Sequence, residues 1–316
     1  MQTDSFELWG SGLWSPWGLL LVGLCVGSFV NVLVRRLPLM MARHWWSEAA
    51  GQLHEGAGRS EWSGPWAESD EARQRRLTVA RELHNRLQGL PPLSLSRPRS
   101  YCPGCGHVLA WHENLPVLGW LRLRGRCAAC GLAIPRRVPV VEALTGLLYC
   151  GMGWRFGFEP AALLWGTWAA ALLALALIDW DTTWLPDALT LPLLWAGLVA
   201  AALGWTLPLS DALWGAVWGY GGLWAVVWVF ERVTRQEAMG AGDFKLLAAL
   251  GAWLGPAALL PLVFTASSLG AVVGLVMKSR GTLREGRFVP FGPFLALAAG
   301  VVALGGLVDW ARGMGG

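Results

Sequence analysis

The sequence predicts an all-α polytopic membrane protein of about eight transmembrane helices, with a small polar domain inserted after the first helix. Three observations predict it. Charged residues make up 15% of the chain, against about 25% in an ordinary soluble domain. Mean hydropathy is +0.44, with 54% hydrophobic types. There are 22 Trp but only 3 Tyr. Many of the Trp (Trp14, Trp17, Trp154, Trp165, Trp184, Trp205, Trp310) lie near the ends of apolar runs. An apolar ring carrying one N–H donor suits the membrane–water boundary.

The first apolar run, near 13–34, is long enough to span a bilayer. It has no basic segment before it and no small-residue cleavage site, so it reads as a retained anchor. A polar stretch follows, reaching to residue 137. From Val138 onward the chain is almost wholly apolar, with spans near 138–155, 160–178, 188–204, 212–230, 243–255, 257–277 and 290–310. Around Gly255-Pro256 the pattern allows two short helices or one kinked one. The expected domains are 1–37 (first transmembrane helix), 38–137 (a cytoplasmic domain that carries a four-cysteine zinc site) and 138–316 (transmembrane domain).

Arginine placement orients the spans. Most arginines lie between Arg35 and Arg137, which places that loop in the cytoplasm. The amino terminus is then outside. Alternate threading puts loops 179–187, 231–242 and 278–289 inside as well. The last two carry Arg232, Arg235, Lys278, Arg280, Arg284 and Arg287. The outside loops near 156–159 and 205–211 carry no basic residue, although Arg155 borders the first. A basic segment could also bind nucleic acid. This one is mixed with Pro, Trp and acidic residues, so lipid is the expected partner and nucleic acid is not. Within it, Leu77, Ala80, Leu83 and Leu87 recur at helical spacing and predict an amphipathic surface helix over Asp70 to Gln88. Pro91-Pro92 and Pro98 mark a linker.

Of six cysteines, Cys25 and Cys150 lie in apolar spans and read as small buried hydrophobes. The others form Cys102-Pro-Gly-Cys105 and Cys127-Ala-Ala-Cys130, with 21 residues between the pairs. This spacing fits a closed, tetrahedral four-thiolate zinc site of structural type. Gly104, Gly106 and Gly131 suit the tight turns it needs. Two disulfides or unliganded thiols are the alternatives, and a cytoplasmic location argues against disulfides. His107 and His112 lie nearby; either could replace a thiolate, but surface histidines are the simpler reading.

Acidic residues collect at two predicted cytoplasmic edges. One set is Asp179, Asp181 and Asp187; the other residue is Asp243, in Gly240-Ala241-Gly242-Asp243. Solvation or helix capping explains many such residues. Asp187, after Pro186, suits a cap, and Asp181 an exposed or locally hydrogen-bonded position. Gly-x-Gly-Asp points elsewhere. Its glycines allow close approach, and a carboxylate near lipid is costly unless paired. Two carboxyls a few ångströms apart share one proton. One can then act as base on water while the other donates to a scissile carbonyl, hydrolysing a peptide without a metal or covalent intermediate.

Ordered motifs along nearly the whole chain resemble the type IV prepilin peptidases (prepilin leader peptidase/N-methyltransferase, GxGD-type aspartic peptidases). They are Gly27-Ser28-Phe29-Val30-Asn31-Val32, Arg36-Leu37-Pro38, Met41-Ala42-Arg43-His44-Trp45, the two cysteine pairs, and Trp111-His112-Glu113-Asn114-Leu115-Pro116. Then come Pro139-Val140-Val141-Glu142, Ile178-Asp179, Leu185-Pro186-Asp187, Glu237-Ala238-Met239-Gly240-Ala241-Gly242-Asp243-Phe244-Lys245 and Pro290-Phe291-Gly292-Pro293-Phe294. The resemblance implies that Asp179 and Asp243 are the catalytic pair. It implies a multi-pass enzyme of the bacterial inner membrane with its active site facing the cytoplasm. Its substrates would be type IV prepilins and pseudopilins, cut after a glycine ending a basic leader. Members with the cysteine domain also methylate the new amino terminus from S-adenosylmethionine. Many relatives have a third glycine where this chain has Ala241, and residues 47–98 look longer or more diverged. No glycine-rich nucleotide loop is evident, so the methyl donor rests on the resemblance alone. Glu142 and Glu237 are candidates to attract the basic leader, with span-end solvation the simpler role. Lys245 could bias the pair's charge or snorkel to the interface. A peptidase-only member and a non-enzymatic scaffold or transporter with a zinc knuckle are the alternatives. A transporter would place its charges near the bilayer midplane.

Overall fold

The computed structural model describes residues 12–55, 69–235, 239–281 and 289–305. Ten α-helices follow one another: α1 (Pro16–Glu55), α2 (Asp70–Gln88), α3 (Leu118–Arg122), α4 (Arg137–Phe156), α5 (Pro160–Thr182), α6 (Asp187–Ala202), α7 (Leu209–Thr234), α8 (Ala241–Leu254), α9 (Leu259–Ser279) and α10 (Gly292–Leu304). The described residues hold only two isolated β-bridges and no longer strand. Each apolar run read from the sequence coincides with a helix among the described residues. Four helical stretches are long and apolar enough to cross a membrane: α1, α5, α7 and the stretch Pro256–Ser279. α6 and α10 are apolar but shorter.

Two boundaries sharpen the expectation. The first helix does not stop near residue 34 but continues through Arg35, Arg36 and Pro38 to Glu55. The charges mark where an apolar surface ends; the backbone has no reason to end there too. At Gly255-Pro256 the chain makes two helices. Gly255 adopts φ +82°, and the 3-10 turn Pro256–Ala258 starts the next segment. A positive φ costs glycine little, and proline suits the first position of a new turn.

By internal contacts the chain divides into two units, one from the amino end to Val34 together with His112 onward, the other Arg35–Trp111. In the second unit, α2 has the bounds its periodicity predicts. Ala80 is buried and Leu77, Leu83 and Leu87 are half-buried, while most charged positions are exposed. Ser69 caps the helix by accepting from the Ala72 N–H. Arg43 donates to the Pro91 carbonyl at 2.7 Å, and Arg36 to the Ser94 and Leu95 carbonyls.

The first unit is organised around α8. Phe244 and every residue from Leu246 to Leu254 are buried, so this helix is enclosed by protein on all sides. Lipid tails are as apolar as leucine, so close packing rather than water exclusion must hold such a helix. Its neighbours are accordingly small where they meet it. A Cβ on Gly215 of α7 would overlap the Gly251 carbonyl of α8, and one on Gly219 would lie 2.6 Å from the Leu247 carbonyl oxygen. Opposite, Trp253 packs on Gly197 of α6 and donates Nε1–H to the Leu193 carbonyl at 2.8 Å. α1 meets α4 in the same way, Gly23 against Gly146 and Gly27 against Glu142 and Thr145. Gly215→Ala is expected to prise α7 from α8 and cost about 1–3 kcal/mol, as overpacking does. Thermal unfolding in detergent checks this, and an unchanged transition would show the contact to be soft.

Candidate active site

Three helix ends converge. Asp179 lies in the last turn of α5, which Thr183 closes. Thr183 takes a left-handed conformation (φ 56°) and donates its N–H to the Asp179 carbonyl at 2.7 Å. Leu185-Pro186 then leads into α6. Asp243 lies in the first turn of α8, after Gly240. Gly292 opens α10.

The Asp179 side chain is buried, and its Oδ2 accepts the Gly292 N–H at 3.0 Å. A Cβ on Gly292 would come within 2.6 Å of that oxygen and 3.2 Å of Leu185 Cδ2. A Cβ on Gly242 would lie 2.9 Å from Leu185 Cβ. Leu185 is therefore wedged between two glycines that have no room for a side chain. One of them belongs to Gly-x-Gly-Asp and the other seats Asp179. Asp243 Oδ1 is buried with no hydrogen-bond partner among the described residues, and the Asp179 charge acts on it. The structure thus brings Asp179 and Asp243 together. Among the described residues neither carboxyl is in an ion pair.

The other acidic residues are engaged elsewhere. Asp181 pairs with Arg137 at 2.7 Å near the surface. Asp187 is the first residue of α6 rather than its cap, a place held by Pro186, and it pairs with Lys245 at 2.7 Å. Lys245 is therefore engaged by Asp187 and in no ion pair with Asp179 or Asp243 among the described residues. Glu142 also differs from expectation, because it is buried and not solvated. Its Oε2 accepts the Val117 N–H at 2.7 Å, and Ser28 hydrogen-bonds to it. Val117 has φ 59°, ψ −49°, costly for a β-branched residue, so Glu142 anchors a strained turn. Glu142→Ala leaves that N–H without its partner and is expected to cost about 1–3 kcal/mol. Faster proteolysis within 112–137 is the readout, and unchanged resistance would remove the anchoring role. Glu237 lies outside the described residues, as do Arg284, Arg287 and Trp310.

The four patterned cysteines form one cluster, with sulfurs all within 4.8 Å of one another. Each pair folds alike. The Gly106 N–H donates to the Cys102 carbonyl and the Cys102 N–H to the His107 carbonyl. The Gly131 N–H donates to the Cys127 carbonyl and the Cys127 N–H to the Leu132 carbonyl. Gly106 and Gly131 share φ near +74° and +73°, a left-handed turn that favours glycine. Tetrahedral zinc–thiolate bonds of about 2.3 Å place sulfurs roughly 3.8 Å apart. The four residues could therefore hold zinc.

Sequence reasoning quoted Gly292 and Leu185 without giving them a role. The available signal was glycine beside proline at the start of a span, where a helix amide is exposed.

Residues 166–275 match the family model described as "Type IV leader peptidase family", and residues 21–156 match "Bacterial Peptidase A24 N-terminal domain". The chain belongs to the type IV leader peptidase family. Asp179 and Asp243 fall in the first of these segments and all four patterned cysteines in the second, whereas Gly292 lies outside both. A prepilin leader peptidase/N-methyltransferase of Stutzerimonas stutzeri is 43% identical over 292 residues, covering 91% of this chain and 89% of the relative. One of Pseudomonas aeruginosa is 44% identical over 290 residues, with the same shares covered. One of Burkholderia pseudomallei is 45% identical over 286 residues, covering 90% and 83%. No solved structure matches the chain. With this family and these apolar helices, the protein is a multi-pass protein of the inner membrane.

Proposed function

We propose that this leader peptidase is an aspartyl endopeptidase that removes the basic leader of type IV prepilins and pseudopilins after glycine, and then N-methylates the new amino terminus. The observation that carries the peptidase is the buried meeting of Asp179 and Asp243, neither paired with a cation among the described residues. Buried carboxyls at such a meeting share a proton and activate water. Asp181 and Asp187, each held by a basic residue, lack that freedom. The arginine pattern supports a cytoplasmic active site. A prepilin's apolar helix would partition into the bilayer beside the enzyme and bring its leader junction to that face.

Cys102, Cys105, Cys127 and Cys130 would hold zinc as a structural ion, since four thiolates leave no open position for chemistry. N-methyl transfer is supported by the names of the relatives, which read prepilin leader peptidase/N-methyltransferase, and S-adenosylmethionine is the donor that the family resemblance implies. The test is to incubate purified protein with a synthetic prepilin and S-adenosylmethionine and weigh the products. Leader loss plus one added methyl supports the full reading. Leader loss alone reduces the protein to a peptidase, and an intact precursor overturns the proposal.

A further inference from the structure

The two carboxyls are not equivalent. Asp179 Oδ2 accepts a backbone N–H at 3.0 Å, from Gly292 at the start of α10. Asp243 Oδ1 is buried with no donor among the described residues. The Gly292 N–H is one of the amides that a helix start leaves without an intrahelical acceptor, and the α10 dipole adds positive potential there. A hydrogen bond donated to a carboxylate favours its charged form, and burial without a donor favours the neutral acid. We infer that Gly292 is a positioning residue that fixes the negative charge on Asp179 and leaves the shared proton on Asp243. This rests on the peptidase reading above and assigns each aspartate its part in it.

The consequence for the reaction is directional. Asp179 removes a proton from water as the water oxygen bonds to the scissile carbonyl carbon. Asp243 gives its proton to the carbonyl oxygen, producing a neutral gem-diol. Asp179 then passes its proton to the leaving nitrogen as the C–N bond breaks. One diol hydroxyl returns its proton to Asp243. Both groups end as they began, and one water has been added across the peptide bond.

The glycine is required for a steric reason too. A Cβ at position 292 would come within 2.6 Å of the Asp179 oxygen, so Gly292→Ala must displace the carboxyl or the helix. That variant could fail for bulk alone. A cleaner one replaces residue 292 with glycolate, which exchanges the N–H for an ester oxygen and adds no bulk.

Two measurements test the inference on the full-length purified protein in ester-free detergent. The first is infrared spectroscopy of the protonated-carboxyl stretch, compared between wild type, Asp179→Asn and Asp243→Asn. The band is expected to survive in Asp179→Asn and vanish in Asp243→Asn. The reverse pattern, or no such band in wild type, overturns the inference. The second is cleavage by the glycolate-292 protein. kcat is expected to fall roughly ten- to hundred-fold, as loss of a hydrogen bond to a charged group does, with KM unchanged. A kcat within two-fold of wild type, or a loss confined to KM, overturns it. If either Asn variant still cleaved normally, the peptidase reading itself would fail, which is a separate outcome from the position of the band.

Discussion

Asp179→Asn and Asp243→Asn are each expected to lower leader cleavage by about 10²–10⁴-fold, the range contributed by a positioned acid or base. Both variants should insert and unfold like the parent, because asparagine keeps the shape and neither carboxyl is in an ion pair among the described residues. Asp181→Asn is the informative control. Its carboxylate meets Arg137 near the surface, and exposed pairs contribute only about 0–1 kcal/mol, so cleavage should stay within a few-fold of wild type. Initial rates on a synthetic prepilin decide the matter. Normal cleavage by either of the first two variants would displace the pair from the chemistry. A loss in Asp181→Asn as large as theirs would move the site toward the surface.

The second large effect concerns the cysteines. Cys102→Ser or Cys127→Ser is expected to abolish stoichiometric zinc and to unfold the knuckle. Structural zinc in small peptides contributes about 10–16 kcal/mol of apparent binding energy. Cys102 is the buried member of the cluster, so its loss should be the more severe. Metal content per chain, measured on purified protein, is the check. An unchanged zinc content in both variants would mean that the cluster does not hold the metal. Cys25→Ser, in an apolar span, should leave metal content unaffected.

Much of this was legible in the sequence because the relevant signals are local. Hydrophobic runs pointed to each apolar helix among the described residues, since a helix in lipid must be apolar along its length. The C-x-x-C pairs pointed to the four-cysteine cluster, because ligand spacing is itself a local constraint. Gly-x-Gly-Asp pointed to Asp243 for a similar reason. The choice of Asp179 over Asp181 and Asp187 was not local. It depends on which carboxylate finds a cation, and those partners, Arg137 and Lys245, lie 44 and 58 residues away. Burial of Glu142 was missed because its acceptor role serves Val117, 25 residues earlier, in a turn with no hydrophobic signature. α1 runs on to Glu55, past the apolar run that marks its span, because charge ends an apolar surface without ending a backbone.

The enclosure of α8 has a consequence for how this protein tolerates change. In a soluble core, a substitution is judged first by whether it is oily. Here the alternative to burial is lipid, which accepts any oily residue, so oiliness carries little information along α8. Volume carries it instead. Enlarging Ala248, Ala249 or Ala252 to leucine should harm the enzyme as much as a polar replacement of similar size, while trimming a neighbour could restore it. Variation along this helix should therefore be sorted by size, with compensating pairs running across to α6 and α7.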